Sequence, residues 1–266
     1  MLLCQGGWNT LVMADGWNAR HRGNDWGKKC KRKGQERVHW HEIRSAVIFT
    51  LKDLAQVSEK RTALLRKFTV AVPAETSPHD FGLILERDAK RMGLNEARAV
   101  FFVMDGGVWL WSIYEDRFER CSKAMLDFYH LSQHLHMLAR VVHPNDAAAA
   151  RKWCARILHS PKHRSPNKLF ATLDQLAAAM PTDDPAACET IRRETTYFES
   201  HKLHMDYAKC ANQGIPIGSG SAESLCSQLQ NRLKRTGQFW SKTGFAAILK
   251  LIVRYRNNEL LSLWAA

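Results

Sequence analysis

Apolar positions along this chain change period several times, and each change marks an element. Thr10-Leu-Val-Met-Ala-Asp15 is a short apolar run that ends at an acid and is followed by Gly16, the pattern of a buried strand. Residues 20–37 hold three glycines and the run Lys28-Lys-Cys-Lys-Arg-Lys33, which reads as a loop or hairpin tip. Residues 37–51 then supply Val38, Trp40, Ile43, Val47, Ile48, Phe49 and Leu51, a β-branched and aromatic set that predicts a strand. Another strand is expected over 67–72, stopped by Pro73. Helical spacing takes over at Phe81, Ile84, Leu85 and Met92, with Gly93 as the stop. Residues 97–104 form a continuous apolar run ended by Asp105-Gly-Gly, as in a central strand buried on both faces. A short strand at 124–127 leads into a helix with Leu131, Leu135 and Leu138 on one side. From about Pro144 to Gln213 the pattern is helical, Ala-rich and punctuated by Pro161, Pro166, Pro181 and Pro185. Two last helices are expected over 222–235 and 242–263. This succession describes an α/β protein, a mixed sheet with helices on its faces. It divides as a first core part (1–143), a helical insertion (144–213) and a core completion (214–266).

Composition narrows the partners. The 266 residues can bury a sizeable core, and 45% hydrophobic with 24% charged residues is ordinary for a globular chain. The charge is not ordinary: 39 Lys and Arg against 26 Asp and Glu give +13. Such a surplus favours a polyanionic partner, nucleic acid before an anionic membrane surface. No apolar run approaches the roughly 20 residues needed to span a bilayer, and the first residues do not read as a signal peptide. Seven scattered cysteines without a CxxC pair favour reduced thiols in a cytoplasmic protein over a zinc or disulfide framework. Twelve histidines follow no HExxH-like pattern.

The most specific chemistry lies in Gly214-Ile-Pro-Ile-Gly-Ser-Gly-Ser-Ala-Glu223. There a glycine-rich turn delivers the one acid between Asp206 and Glu259 to the start of a basic amphipathic helix. Asp15 and Asp105 each end an apolar run and are each followed by glycine, which leaves room for a substrate backbone. Phosphodiester chemistry uses two divalent ions held by carboxylates, and hard oxygen donors suit Mg²⁺ or Mn²⁺. Asp-Gly is also a favoured turn dipeptide, so each aspartate alone has a plain structural reading. Gly218-Ser-Gly-Ser serves equally as a helix cap or as a phosphate cradle. Leu225, Leu229 and Leu233 repeat at core spacing, whereas Arg232, Lys234 and Arg235 fall off that stripe, as a solvated face or a DNA-backbone contact. Lys28, Lys29, Lys31, Arg32 and Lys33 read as a phosphate-binding arm. Trp109, Trp111 and Trp240 are expected to pack, and Asp25 and Glu42 to be salt-bridge or surface residues.

In sequence order, Met13-Ala-Asp15-Gly16, Trp40-His-Glu42-Ile-Arg44, Val103-Met-Asp105-Gly-Gly-Val-Trp109-Leu-Trp111 and Leu126-Asp127-Phe-Tyr-His130 precede the Glu223 segment. That segment continues through Arg232-Leu-Lys-Arg-Thr-Gly-Gln-Phe-Trp240. Together these pieces resemble an insertion-sequence transposase of the DDE type, over nearly the whole chain. The resemblance implies a ribonuclease-H-like core with a helical insertion before the third acid. It makes Asp15, Asp105 and Glu223 the catalytic acids, holding two Mg²⁺ or Mn²⁺ ions. Asp127 and His130 match a D-x-x-H signature of Mutator-like transposases and are secondary candidates. The partners implied are double-stranded DNA at transposon ends and target, and further copies of the chain on that DNA, in a bacterial cytoplasm at the nucleoid. Family members usually carry a long N-terminal region for binding element ends. This chain reaches its first strand within about ten residues, which implies a catalytic fragment, a split reading frame or a truncated copy. A structure-selective nuclease on the same fold and a non-catalytic DNA-binding remnant are the competing readings.

Overall fold

In the computed structural model, residues 7–29, 34–59, 61–179 and 184–263 are described. The strands are β1 (Asn9–Arg22), β2 (Val38–Thr50), β3 (Leu54–Ser58), β4 (Arg61–Leu64), β5 (Phe68–Val72), β6 (Ala99–Met104) and β7 (Lys123–Leu126). The helices are α1 (Pro78–Arg91), α2 (Val108–Ile113), α3 (Phe128–Val142), α4 (Ala147–His163), α5 (Asn167–Ala178), α6 (Pro185–Ser200), α7 (Tyr207–Asn212), α8 (Gly220–Leu233) and α9 (Lys242–Arg256). Five strands form one mixed sheet in the order β5-β2-β1-β6-β7, and β3 and β4 make a separate two-stranded ribbon. An antiparallel β1, β2, β5 meander with two later strands beyond β1 is compatible with a ribonuclease-H-like fold.

The chain divides into two compact units. The first comprises Met1–Phe102, Trp109–Ser122 and Ser219–Ala266, and the second Val103–Val108 and Lys123–Gly218.

In the first unit, β1 is longer than its apolar run. It pairs with β2 without a break from Thr10↔Thr50 to Arg22↔Val38, so Asp15 lies mid-strand opposite Ser45 and not at a strand end. Its inner half is buried on both faces (Leu11, Val12, Met13, Ala14). Its outer half alternates, with Trp17, Ala19 and His21 buried and Asn18 exposed. That period of two is strand-like, but Gly16, Arg20 and Arg22 disguise it in the sequence. The β3–β4 ribbon was not expected: it is short and largely exposed, and without a buried face it has no apolar alternation.

Helix starts follow local chemistry. Ser77 caps α1 by accepting from the Asp80 amide, and Pro78 opens the helix where a missing N–H costs nothing. Ser241 caps α9 in the same way. Leu225, Leu229 and Leu233 of α8 are buried as their spacing predicts. Helix α9 ends at Arg256, short of the expected Leu263. Beyond it Asn257 reaches the edge strand β5, accepting from the Thr69 amide (2.8 Å) and donating to the Thr69 carbonyl (2.9 Å).

His21 is fully buried between His41 and Phe245, each at 4.8 Å between ring centres, and neither ring nitrogen has a hydrogen-bond partner. Burial first, then His41 and more weakly Lys242, holds its pKa below 6.5, against an opposing pull from Glu75. A histidine with a lower folded pKa binds its proton first in the unfolded chain. Its stabilising contribution is therefore whole above the unfolded value of 6.5 and is lost as pH falls through and below it. Urea midpoints are expected to drop between about pH 7.5 and about pH 5, and to drop less in His21→Phe. Equal pH profiles for the two proteins would remove His21 as the cause.

In the second unit, α3 buries Leu131, Leu135 and Leu138, and α4 and α5 bury Ile157, Leu169 and Leu173. Helix α4 runs through Pro161, which the sequence reading took as an interruption. Asp127 caps α3, and its own amide donates to the Met104 carbonyl (2.7 Å), which ties β7 to the end of β6. Among the described residues no helix is long and apolar enough to cross a membrane.

Candidate active site

The first unit brings Asp15 and Glu223 to a common neighbour. Asp15 is half-buried on β1, and its Oδ1 accepts from the Gly16 amide at 2.7 Å. Glu223 is exposed in the first turn of α8, where the helix dipole favours a carboxylate. Between them lies the buried thiol of Cys226, one turn along α8 and hydrogen-bonded to Asp15 and Ser45. Burial first, then the charge and hydrogen bond of Asp15 and the charge of Glu223, pushes this thiol well above the usual range. Ser219 occupies the N-cap of α8, yet its hydroxyl donates to Glu223 (3.3 Å) and accepts no helix amide. It thus orients the carboxylate and does not perform the capping that Gly218-Ser-Gly-Ser suggests. Gly16 lies beside the Glu42 side chain, where an added Cβ would stand 2.8 Å from Oε1 and the flexible carboxylate would have to shift. Glu42 pairs with Arg44 (3.2 Å) and Asp25 with Lys28, as expected of surface ion pairs.

The second unit carries Asp105, Asp127 and His130. Asp105 follows β6, and its Oδ1 accepts from the Gly107 amide (2.8 Å). Gly106 lies against the Tyr197 ring, where an added Cβ would come within 2.2 Å of Cε2. Only glycine fits beside this acid. Asp127 is fully buried, and its Oδ1 accepts from the amides of Tyr129 (2.5 Å) and His130 (3.0 Å). The first position of the D-x-x-H signature is therefore a helix cap in this structure. His130, on the first turn of α3, enters that motif through its backbone amide.

Around these acids stands a cluster that sequence reading missed. Tyr197 stacks on His134 at 3.6 Å and 13°, and its hydroxyl is buried without a hydrogen-bond partner. Burial, then Asp105, Asp127 and Glu194, raises its pKa well above the usual phenol range, so it remains a neutral donor. His134 Nδ1 meets Glu194 Oε2 at 2.6 Å, and Arg193 Nε donates to the other oxygen at 2.8 Å. His201 lies against the same tyrosine, with Nδ1 2.7 Å from the Tyr197 carbonyl, and burial lowers its pKa. Helical spacing within 190–201 gave the one available signal, because Glu194, Tyr197 and His201 recur at i, i+3 and i+7 on one face of α6 and its cap.

Among the described residues no three or more His, Cys, Asp or Glu side chains are grouped so as to hold a metal ion. The cations proposed for DNA divide by position. Lys28, Lys29, Arg232 and Arg235 are exposed and Lys234 is half-buried, while Lys31, Arg32 and Lys33 lie outside the described residues. Trp240 packs as expected: its indole donates to the Leu233 carbonyl (2.7 Å).

No protein-family model matches the chain, and no curated protein matches it. Three chains among solved structures do. One is the Drosophila P element transposase strand transfer complex, at 12% identity and a TM-score of 0.29. The match covers 97% of this chain and 65% of that one, so this chain spans less than two thirds of its length. A likeness that loose decides neither fold nor function.

Proposed function

We propose that this protein is a DDE-type transposase that cuts DNA at transposon ends and joins the freed end to target DNA, with Asp15, Asp105 and Glu223 as its metal-binding acids. The observation that carries this reading is that Asp15 and Glu223, far apart in the sequence, both act on the buried thiol of Cys226. The net charge of +13 supports DNA as the partner.

The carboxylate oxygens of these three acids are hard donors and would suit Mg²⁺ or Mn²⁺ over softer metals. When bound, such ions lower the pKa of an attacking water or 3′-hydroxyl and stabilise the leaving oxygen. The chain's own groups prepare that chemistry. Ser219 holds Glu223, the Gly16 and Gly107 amides hold Asp15 and Asp105, and Gly106 keeps the Tyr197 ring against the chain beside Asp105.

The test first identifies inverted repeats in the DNA that flanks the gene, then incubates DNA carrying them with the protein and Mg²⁺. Nicks at the repeat ends followed by joined products are expected, and both should vanish with chelator. Cutting without joining would replace the transposase by a structure-selective nuclease. Salt-sensitive binding without any cutting would leave a DNA-binding protein with no catalytic role for the three acids.

A further inference from the structure

The outer half of the β1–β2 hairpin carries a feature that the acids do not use. The segment after α8 returns along β1: the Trp240 amide donates to the Arg20 carbonyl (3.2 Å) and the Arg22 amide to the Trp240 carbonyl (2.8 Å). Arg20 and Arg22 fasten the same segment from their side chains, Arg20 to the Lys234 carbonyl (3.0 Å) and Arg22 to the Phe239 carbonyl (3.0 Å). On this frame aromatic rings and cations form a ladder. Trp26 lies 4.7 Å from Phe239, Arg20 is 5.0 Å from Phe239 and 5.9 Å from Trp40, and Lys234 is 5.0 Å from Trp40. Arg22 sits 5.6 Å from the Trp26 ring.

Trp26 is 41% exposed and Trp40 57% exposed. Indole rings normally sit largely inside, and these two leave much of their surface open to solvent beside guanidinium and ammonium groups. Flat apolar faces alternating with positive charge complement one ligand class, a strand of unpaired nucleotides. Bases stack on the rings and phosphates meet the cations. A duplex cannot use the rings in this way, because its base faces are already covered by neighbouring pairs. An acidic peptide would use the cations but leave the rings idle.

We propose that the ladder Trp26, Phe239, Arg20, Trp40 and Lys234 is a binding site for single-stranded DNA, holding an unpaired stretch of the substrate. It rests on the reading of DNA as partner and is separate from the metal-binding acids.

The test is fluorescence anisotropy with a labelled oligo-dT of about 16 nucleotides, the upper end of common single-strand site sizes, and with a blunt duplex of equal length. Trp26→Ala and Trp40→Ala are each expected to weaken single-strand binding by roughly fivefold to a hundredfold, the range that loss of one stacked base implies. Duplex affinity should stay within about twofold, and the slope of affinity against salt should not change, since no phosphate contact is removed. Lys234→Gln should instead shallow that slope by about 0.7 on the single strand. Trp40→Tyr, which keeps a stacking ring, should recover most of the affinity, and thermal melts of each variant separate lost binding from lost folding.

The proposal is overturned if the folded double tryptophan variant binds oligo-dT as the parent does, or loses duplex binding equally. It is also overturned if polyglutamate competes as well as oligo-dT, or if the parent binds neither DNA. The two readings fail separately. A parent that cuts DNA while binding no single strand loses this site and keeps its acids. A parent that binds oligo-dT through the tryptophans but never cuts loses the acids and keeps this site.

Discussion

Asp15→Asn, Asp105→Asn and Glu223→Gln are each expected to lower Mg²⁺-dependent cleavage by about a hundredfold to a thousandfold, or below detection. Metal-assisted charge stabilisation supplies several kcal/mol of a phosphodiester barrier, and each 1.36 kcal/mol is tenfold in rate. An amide retains the shape of the carboxylate and removes the charge that would hold an ion. Glu223 is exposed, so Glu223→Gln carries little risk of misfolding. Asp15 accepts the Cys226 hydrogen bond, so its variant needs a melting control. Binding to DNA should not weaken in any of the three, because each loses a negative charge facing a polyanion. The checks are a nicking assay on end-containing DNA and a binding titration on the same substrate. Full cleavage by any one variant would remove that residue from the active site.

Glu194→Ala is expected to destabilise the second unit by about 1.5 kcal/mol, the lower end of what hydrogen bonds to a charged group contribute. Glu194 is fully buried, with one oxygen on His134 and the other on Arg193. Removing it leaves the His134 ring nitrogen without its acceptor beneath Tyr197. The Arg193 side chain is 58% exposed, so water screens that half of the interaction and the estimate stays at the low end. Glu194→Gln keeps an acceptor and the side-chain volume and should lose less than Glu194→Ala. Urea unfolding measures both. A loss under about 1 kcal/mol in Glu194→Ala would show that the pair is no more than a surface contact.

How far these features were legible depends on whether local patterning or tertiary pairing determined them. The inner half of β1, β2, β5, β6 and the helices α1, α3 and α8 could be read because their apolar residues recur at the period of the element. Asp105 was placed correctly at the end of an uninterrupted apolar run. Asp15 was read as a strand end because the apolar run stops at this acid and Gly16 follows it. The strand in fact continues, held by cross-strand bonds to β2 that leave no mark in a local window. The glycine-rich turn marked the start of α8, and Glu223 does lie in its first turn. The role of Ser219 was not legible, since capping and carboxylate orientation draw on the same residue type. The Tyr197, His134 and Glu194 cluster was missed for a different reason, since the spacing on α6 shows only one side of it. It joins α3 to α6 across many intervening residues, and nothing in either helix alone announces the other.

The way Asn257 closes the rim of β5 bears on how the protein may be handled. Its amide occupies both main-chain groups of Thr69 and stands in for one residue of a neighbouring strand. An uncovered rim of that kind is a template for pairing between molecules. Versions cut back before Asn257 would present an open ladder to one another, and self-association on purification is the expected consequence.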